Sequence, residues 1–114
     1  MTDHQSSNLS EAKELAQMAE STPAEVPIDS CLSLADADDS ETRYAAVYAL
    51  ARVSVAAPER TRNAVESLAA RVEDPHKQTR VPASRAIGAI AEEFPGEVQP
   101  CIDSLGSNLA DDQQ

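Results

Sequence analysis

The chain has 114 residues, with 20 acids against 9 bases and a formal net charge of −11. That length holds one domain and one hydrophobic core. The charge repels nucleic acid and anionic membrane at long range, so neither is expected as a partner. Aromatics make up only 3% of the residues (Tyr44, Tyr48 and Phe94), and alanine supplies much of the 41% apolar content. Glycine is scarce and β-branched residues never alternate over a strand's length, so the expected class is all-α, with few large side chains between closely spaced helices.

Residues 1–8, MTDHQSSN, are polar and are expected as a flexible tail. Leu9, Ala12, Leu15, Ala16 and Ala19 then fall at helical spacing, with Asn8 and Glu11 offering a capping box. Ser21-Thr22-Pro23 ends this helix, and a weaker second helix is expected over 26–35. Asp36 to Asp39 reads as a turn whose last acids can cap a third helix over 40–54, with Ala46, Ala49, Leu50 and Val53 on its inner face. Pro58 opens a fourth helix, about 59–73. Asp74-Pro75 turns the chain into a fifth, about 76–93, and Pro95-Gly96 precedes a sixth, about 97–109. Residues 112–114 are expected to fray. Short loops predict antiparallel hairpins.

The segments DDSETRYAAVYALARV and PHKQTRVPASRAIGAI align at an offset of 37 residues, the separation of Arg43 from Arg80. The same offset carries Ala46 onto Ala83, Leu50 onto Ile87, Val53 onto Ile90, Pro58 onto Pro95, Leu68 onto Leu105 and Asp74 onto Asp111. Taken backwards it places Ala12 and Ala16 in the slots of Ala49 and Val53, which gives three repeats, 9–37, 38–74 and 75–111, in a single domain over 9–111. The tripeptide Ile28-Asp29-Ser30 recurs as Val65-Glu66-Ser67 and Ile102-Asp103-Ser104.

A two-helix unit with Asp-Pro, an arginine six residues after the Asp, and then Ala-x-x-Ala-Ile resembles the HEAT-repeat family. Asp74 to Arg80 followed by Ala83 to Ile90 carries this resemblance, and Asp38 to Arg43 followed by Ala46 to Leu50 carries it less regularly. The resemblance implies a right-handed α-α superhelix of about three antiparallel hairpins. It also implies a hydrogen-bonded ladder between units, which falls here on Arg43, Asp74, Arg80 and Asp111. Kinked first helices are a feature of that family, and Pro82, inside the fifth helix, is expected to bend it. The acid-rich, lysine-poor composition resembles that of halophilic archaeal proteins, in which dense like charge is tolerated under strong screening.

Little in the sequence points to catalysis. Cys31 and Cys101 fall on second helices of the outer repeats, about 20 Å apart across the middle one, too far for a disulfide or shared metal. His4 lies in the tail, and His76 takes the capping slot of Asp39. Gly88, Gly96 and Gly106 are dispersed and form no phosphate loop, and Gly88 is expected where neighbouring backbones come close. The His-Glu pairs of HEAT-like iron hydroxylases and the basic face of HEAT-like glycosylases are both missing from the sequence. No cofactor is expected and the chain is read as non-enzymatic. A start without a basic segment and apolar run, together with two cysteines, gives a cytoplasmic expectation.

With Ile28, Val65 and Ile102 pointing inward, two surface columns follow: Asp29, Glu66 and Asp103, and beside them Ser30, Ser67 and Ser104. They suit another protein with a basic surface. The function expected is an adaptor or accessory subunit that binds through this second-helix face or a solenoid end, as a monomer or weak homodimer. The alternative is a regulatory or bilin-lyase-like subunit of an enzyme.

Overall fold

Pro23, Pro27, Pro58, Pro75 and Pro95 punctuate the chain, and the helices lie between them. The protein is seen in a computed structural model that describes the backbone of residues 3–100 and the side chains of residues 8–100. In chain order the helices are α1 Asp3–Ser21, α2 Ile28–Leu34, α3 Ser40–Ala56, α4 Pro58–Thr61, α5 Val65–Val72 and α6 Lys77–Glu93. Short 3-10 turns occupy Pro23–Glu25 and Arg62–Ala64, and helical backbone resumes over 95–100. No described residue is in a strand. Cys101, Ile102, Asp103, Ser104, Asp111 and the fraying expected at 112–114 lie outside the described residues.

The long helices α1, α3 and α6 pack side by side with α3 shared between the other two. The shorter ones lie across them: α2 on α1 and α3, α4 on α3 and α6, and α5 on α6. Two such layers account for a thickness of 17 Å, given helix axes about 8–10 Å apart. Because α3 is covered from several sides, it buries Ala45, Ala46, Val47, Ala49, Leu50, Ala51 and Val53, not only the inner stripe that its spacing predicts. Its alanines let the neighbouring backbones approach, while Leu50, Leu68, Ile90, Val26, Val47, Val53 and Val98 fill the space between layers. Emptying one of the large sites, as in Leu50→Ala, costs about 2–5 kcal/mol.

The 37-residue offset holds in the backbone. Shifted by 37, the bounds of α3, Ser40 and Ala56, become Lys77 and Glu93, the bounds of α6. The starts of α1 and α2, Asp3 and Ile28, become Ser40 and Val65, the starts of α3 and α5. Three expectations are corrected here. The stretch expected as a tail is helical from Asp3, because a helix held by Ala12, Leu15 and Ala19 against α3 extends upstream where no proline or glycine stops it. Asn8 is therefore mid-helix and caps nothing. The fourth helix is not continuous over 59–73: a 3-10 turn separates α4 from α5, as the turn at Pro23–Glu25 precedes α2.

The helix starts use different chemistry in equivalent slots. Asp39 caps α3, accepting from Thr42 N at 3.0 Å and Thr42 Oγ1 at 2.8 Å, and these bonds hold its carboxyl below the usual range. His76 occupies the matching slot before α6 but its side chain caps no backbone N–H; its Nδ1 meets Thr79 Oγ1 at 2.9 Å. At the other end of α3, Ser54 Oγ donates to the Leu50 carbonyl at 2.8 Å and pairs with Thr61 Oγ1 at 2.7 Å, both residues fully buried. The corresponding positions 37 residues on are Ala91 and Val98, both apolar and both part of the core or packed on it.

Helix α6 runs unbroken through Pro82, which has no N–H to give the Gln78 carbonyl. Gly88 does not mark a close approach of backbones: a Cβ there meets no atom within 4 Å, and the residue is exposed. Its cost to the helix is therefore uncompensated, and Gly88→Ala is expected to raise unfolding free energy by about 0.5–1 kcal/mol in urea denaturation. A destabilised variant would show that the position is filled in solution.

Candidate functional site

The second-helix surface is built by two short helices with the same register. Ile28 and Val65 open α2 and α5, so Asp29 and Glu66 each stand second in their helix. Val65 is buried and Ile28 packs on the core, which turns the two acids outward into solvent. A carboxylate in a first turn faces the positive end of the helix dipole and is stabilised there by a few tenths of a kcal/mol, about 0.3–1. Ser30 and Ser67 follow as half-buried residues at the margin. No hydrogen bond or ion pair joins Asp29 to Glu66, and neither acid has a side-chain partner among the described residues. The third members of both columns, Asp103 and Ser104, lie outside those residues.

Arg43 and Asp74, by contrast, are brought into contact. Asp74 is buried in the turn before α6, and its Oδ2 accepts from Arg43 Nε at 2.9 Å and Arg71 Nη1 at 2.8 Å. Its Oδ1 accepts from Arg43 Nη2 at 3.2 Å and His76 N at 2.8 Å. Arg43 also donates through Nη1 to the carbonyls of Ala37 at 3.0 Å and Asp38 at 2.8 Å, so one guanidinium joins the turn before α3 to the turn before α6. Burial alone would raise the Asp74 carboxyl, but the bonds from Arg43 and His76 and the charges of Arg43 and Arg71 outweigh it and leave it below the usual range. Arg80, the counterpart of Arg43, is exposed, and Asp111 lies outside the described residues.

Two further arginines make links that the repeat pattern did not single out. Arg60 donates to the carbonyls of Pro23 at 2.7 Å and Val26 at 2.8 Å, holding the turn before α2 against the start of α4. Arg62 pairs with Glu97 at 2.7 Å while lying 4.3 Å over the Phe94 ring. Both bases follow Pro58 closely, Arg60 within α4 and Arg62 at the start of the 3-10 turn that separates α4 from α5; that proline was the signal in the sequence.

Reactive groups are few. Cys31 is a free, buried thiol that burial pushes up to about 12, with Arg60 opposing and Glu11 adding to the shift; it is protonated at neutral pH and a poor nucleophile. No group of three His, Cys, Asp or Glu side chains suited to a metal ion occurs among the described residues. No described helix is long and apolar enough to cross a membrane.

The opposite layer carries a groove that the sequence pattern did not suggest. Tyr44, Tyr48 and Arg52, at successive turns of α3, face Val81, Pro82 and Arg85 of α6 across a cavity of about 290 Å³. Under the 37-residue shift Tyr44 corresponds to Val81 and Tyr48 to Arg85, so the outward faces of both helices were available to the same alignment that found the inner ones.

The buried carboxylate sets an acid limb for the fold. A carboxyl held low in the native state and near about 3.9 in the unfolded chain contributes stability above that value, and the contribution is lost as pH falls through the native pKa. Asp74→Asn is expected to cost about 3–5 kcal/mol at pH 7 by leaving two arginines uncompensated. Its stability should also fall less steeply than that of the parent between pH 5 and pH 2. Urea titrations across this range test both; parallel pH curves would show that Asp74 is not held low. No known protein family, curated protein or solved structure matches this chain.

Proposed function

We propose that the chain is a non-enzymatic, HEAT-like helical repeat module that binds another protein through the second-helix face. The observation that carries this is the matched register of Asp29 and Glu66, two exposed acids 37 residues apart with no side-chain partner among the described residues. Supporting it are the 37-residue recurrence of helix bounds and the Arg43–Asp74 bond between successive turns, which corresponds to the ladder of that family. A third unit carrying Asp103 and Ser104 would extend the columns along a right-handed superhelix. Two or three carboxylates at fixed spacing, each beside a small hydroxyl, accept guanidinium donors from a basic partner by charge-assisted hydrogen bonds.

A labelled arginine-glycine peptide serves as the probe, with fluorescence anisotropy at 0.15 M KCl. Asp29→Lys with Glu66→Lys is expected to weaken binding at least about tenfold, the equivalent of about 1.4 kcal/mol. Glu14→Lys with Asp36→Lys, an equal charge change at exposed acids elsewhere, should leave most of it. Equal losses in the two double variants would reduce the interaction to overall charge and remove the column as a site.

The density of acids also fits adaptation to a salt-rich cytoplasm, and melting curves in KCl bear on that separately. A melting temperature that climbs from low to molar KCl is expected, since screening relieves the repulsion of a −11 chain. A flat profile would leave recognition as the reason for the acids.

A further inference from the structure

Nine bases stand among 20 acids in this chain, and eight of them fall into two groups, with Lys13 standing apart on α1. Arg43, Arg60, Arg62 and Arg71 are occupied in the internal links described above. Four others, Arg52, Lys77, Arg80 and Arg85, are exposed on the outer face of α3 and α6 with no ion pair among the described residues. Arg52 and Arg85 line the groove beside Tyr44 and Tyr48; Lys77 and Arg80 line an adjoining hollow with Val81 and Ser84. No carboxylate lines either one. Glu20, which reaches the groove residue Tyr48, is already engaged, accepting from its hydroxyl at 2.6 Å.

The floor of this basic patch is apolar and open. Val81 is 68% exposed and Tyr44 38%, and both border the groove. The rings are held in place before any ligand arrives: Tyr48 by its bond to Glu20, Tyr44 by a tilted contact with Tyr48 at 6.2 Å and an edge contact with His76 at 6.4 Å. Preorganised aromatic walls reduce the ordering cost of binding. A volume of about 290 Å³ accommodates a large side chain and falls at the low end for small-molecule sites, about 300–1,000 Å³. Beyond Arg85, which borders both hollows, the lining includes Glu92 and Glu93, which would repel a negative ligand and confine it to the basic end.

We infer that the α3–α6 groove binds an acidic segment of a partner protein, seating one aromatic or large apolar side chain between Tyr44, Tyr48 and Val81 while flanking carboxylates pair with Arg52, Arg85, Lys77 and Arg80. Charge complementarity selects the occupant: in a chain of net charge −11, a patch with four cations that have no ion pair among the described residues, and no acid in its lining, is suited to an anion. Planar guanidinium groups take carboxylates bidentately. The inference concerns a different layer from the acid–hydroxyl columns and stands whether or not those columns bind.

A fluorescent acidic heptapeptide with a central phenylalanine is the probe, read by anisotropy at 0.15 M KCl, where screening over about 8 Å leaves the groove charges dominant over the distant acids. Saturable binding is expected, at least tenfold weaker for Arg52→Glu with Arg85→Glu and severalfold weaker for Tyr44→Ala. Replacing the peptide's phenylalanine with serine should also weaken it severalfold. Because these side chains reach solvent, far-UV circular dichroism and melting of the arginine variants should match the parent. Lys13→Glu, on α1, should bind like the parent. The proposal is overturned by absence of saturable binding, by arginine variants that bind normally, or by an equal loss in the Lys13 variant. A dimer in light scattering that Arg85→Glu splits would make a second copy the occupant and overturn it as well.

Discussion

Asp74 is a carboxylate removed from water, and the arrangement of the long helices depends on how that charge is compensated. A buried ion without partners costs several kcal/mol, so the fold is stable only when Arg43 and Arg71 reach it and the His76 amide completes the set. Arg43 springs from the first turn of α3, Asp74 from the turn before α6. Their bond therefore fixes the height of one helix start against the next, while the packed alanines and Leu50 fix only the separation of the helices. Apolar contact tolerates sliding by a turn; a bidentate bond to a buried carboxylate does not.

At the linking positions arginine suits the same geometry better than lysine would. Arg43 donates from all three nitrogens, to both carboxylate oxygens of Asp74 and to two carbonyls of the preceding turn. Arg60 likewise spans two carbonyls of the 3-10 turn before α2. A lysine at either place would bring one compact charge where a planar fork is needed. The turns, which a helical layer leaves with unsatisfied carbonyls, are thus closed by side chains from the neighbouring unit, so local and long-range order arise together.

Much of the architecture was visible in the sequence because helix punctuation and the 37-residue recurrence are both written in residue types. Asp39 before Ser40, Pro58, and the Asp74-Pro75 turn each mark a boundary by a definite backbone requirement. The start of α1 at Asp3 was obscured by the polar composition of 1–8, although the offset from Ser40 points to it. The wider burial of α3 was not readable, since Val47, Ala45 and Ala51 lie off the inner stripe and are covered only because other helices close over them. At the candidate surfaces, Asp29 and Glu66 stood out as a repeated letter. The groove did not, because its members correspond as Tyr44 to Val81 and Tyr48 to Arg85, pairs with no chemical likeness. Recurrence shows where the two helices are alike, whereas the lining of the groove comes from where they differ.

Helices whose bounds recur at a fixed offset carry a hazard during folding: a short helix can settle against the wrong long helix with many apolar contacts intact. The Ser54–Thr61 hydroxyl pair guards the seam between α3 and α4 against this. Docked one offset further along, Thr61 would face Ala91 and Val98 would face Ser54, and the exchange would sacrifice the one buried hydrogen bond between them, about 0.5–1.5 kcal/mol. The pair thus acts as an address, making a misregistered chain less stable than the native one by a margin that hydrophobic matching alone would not supply.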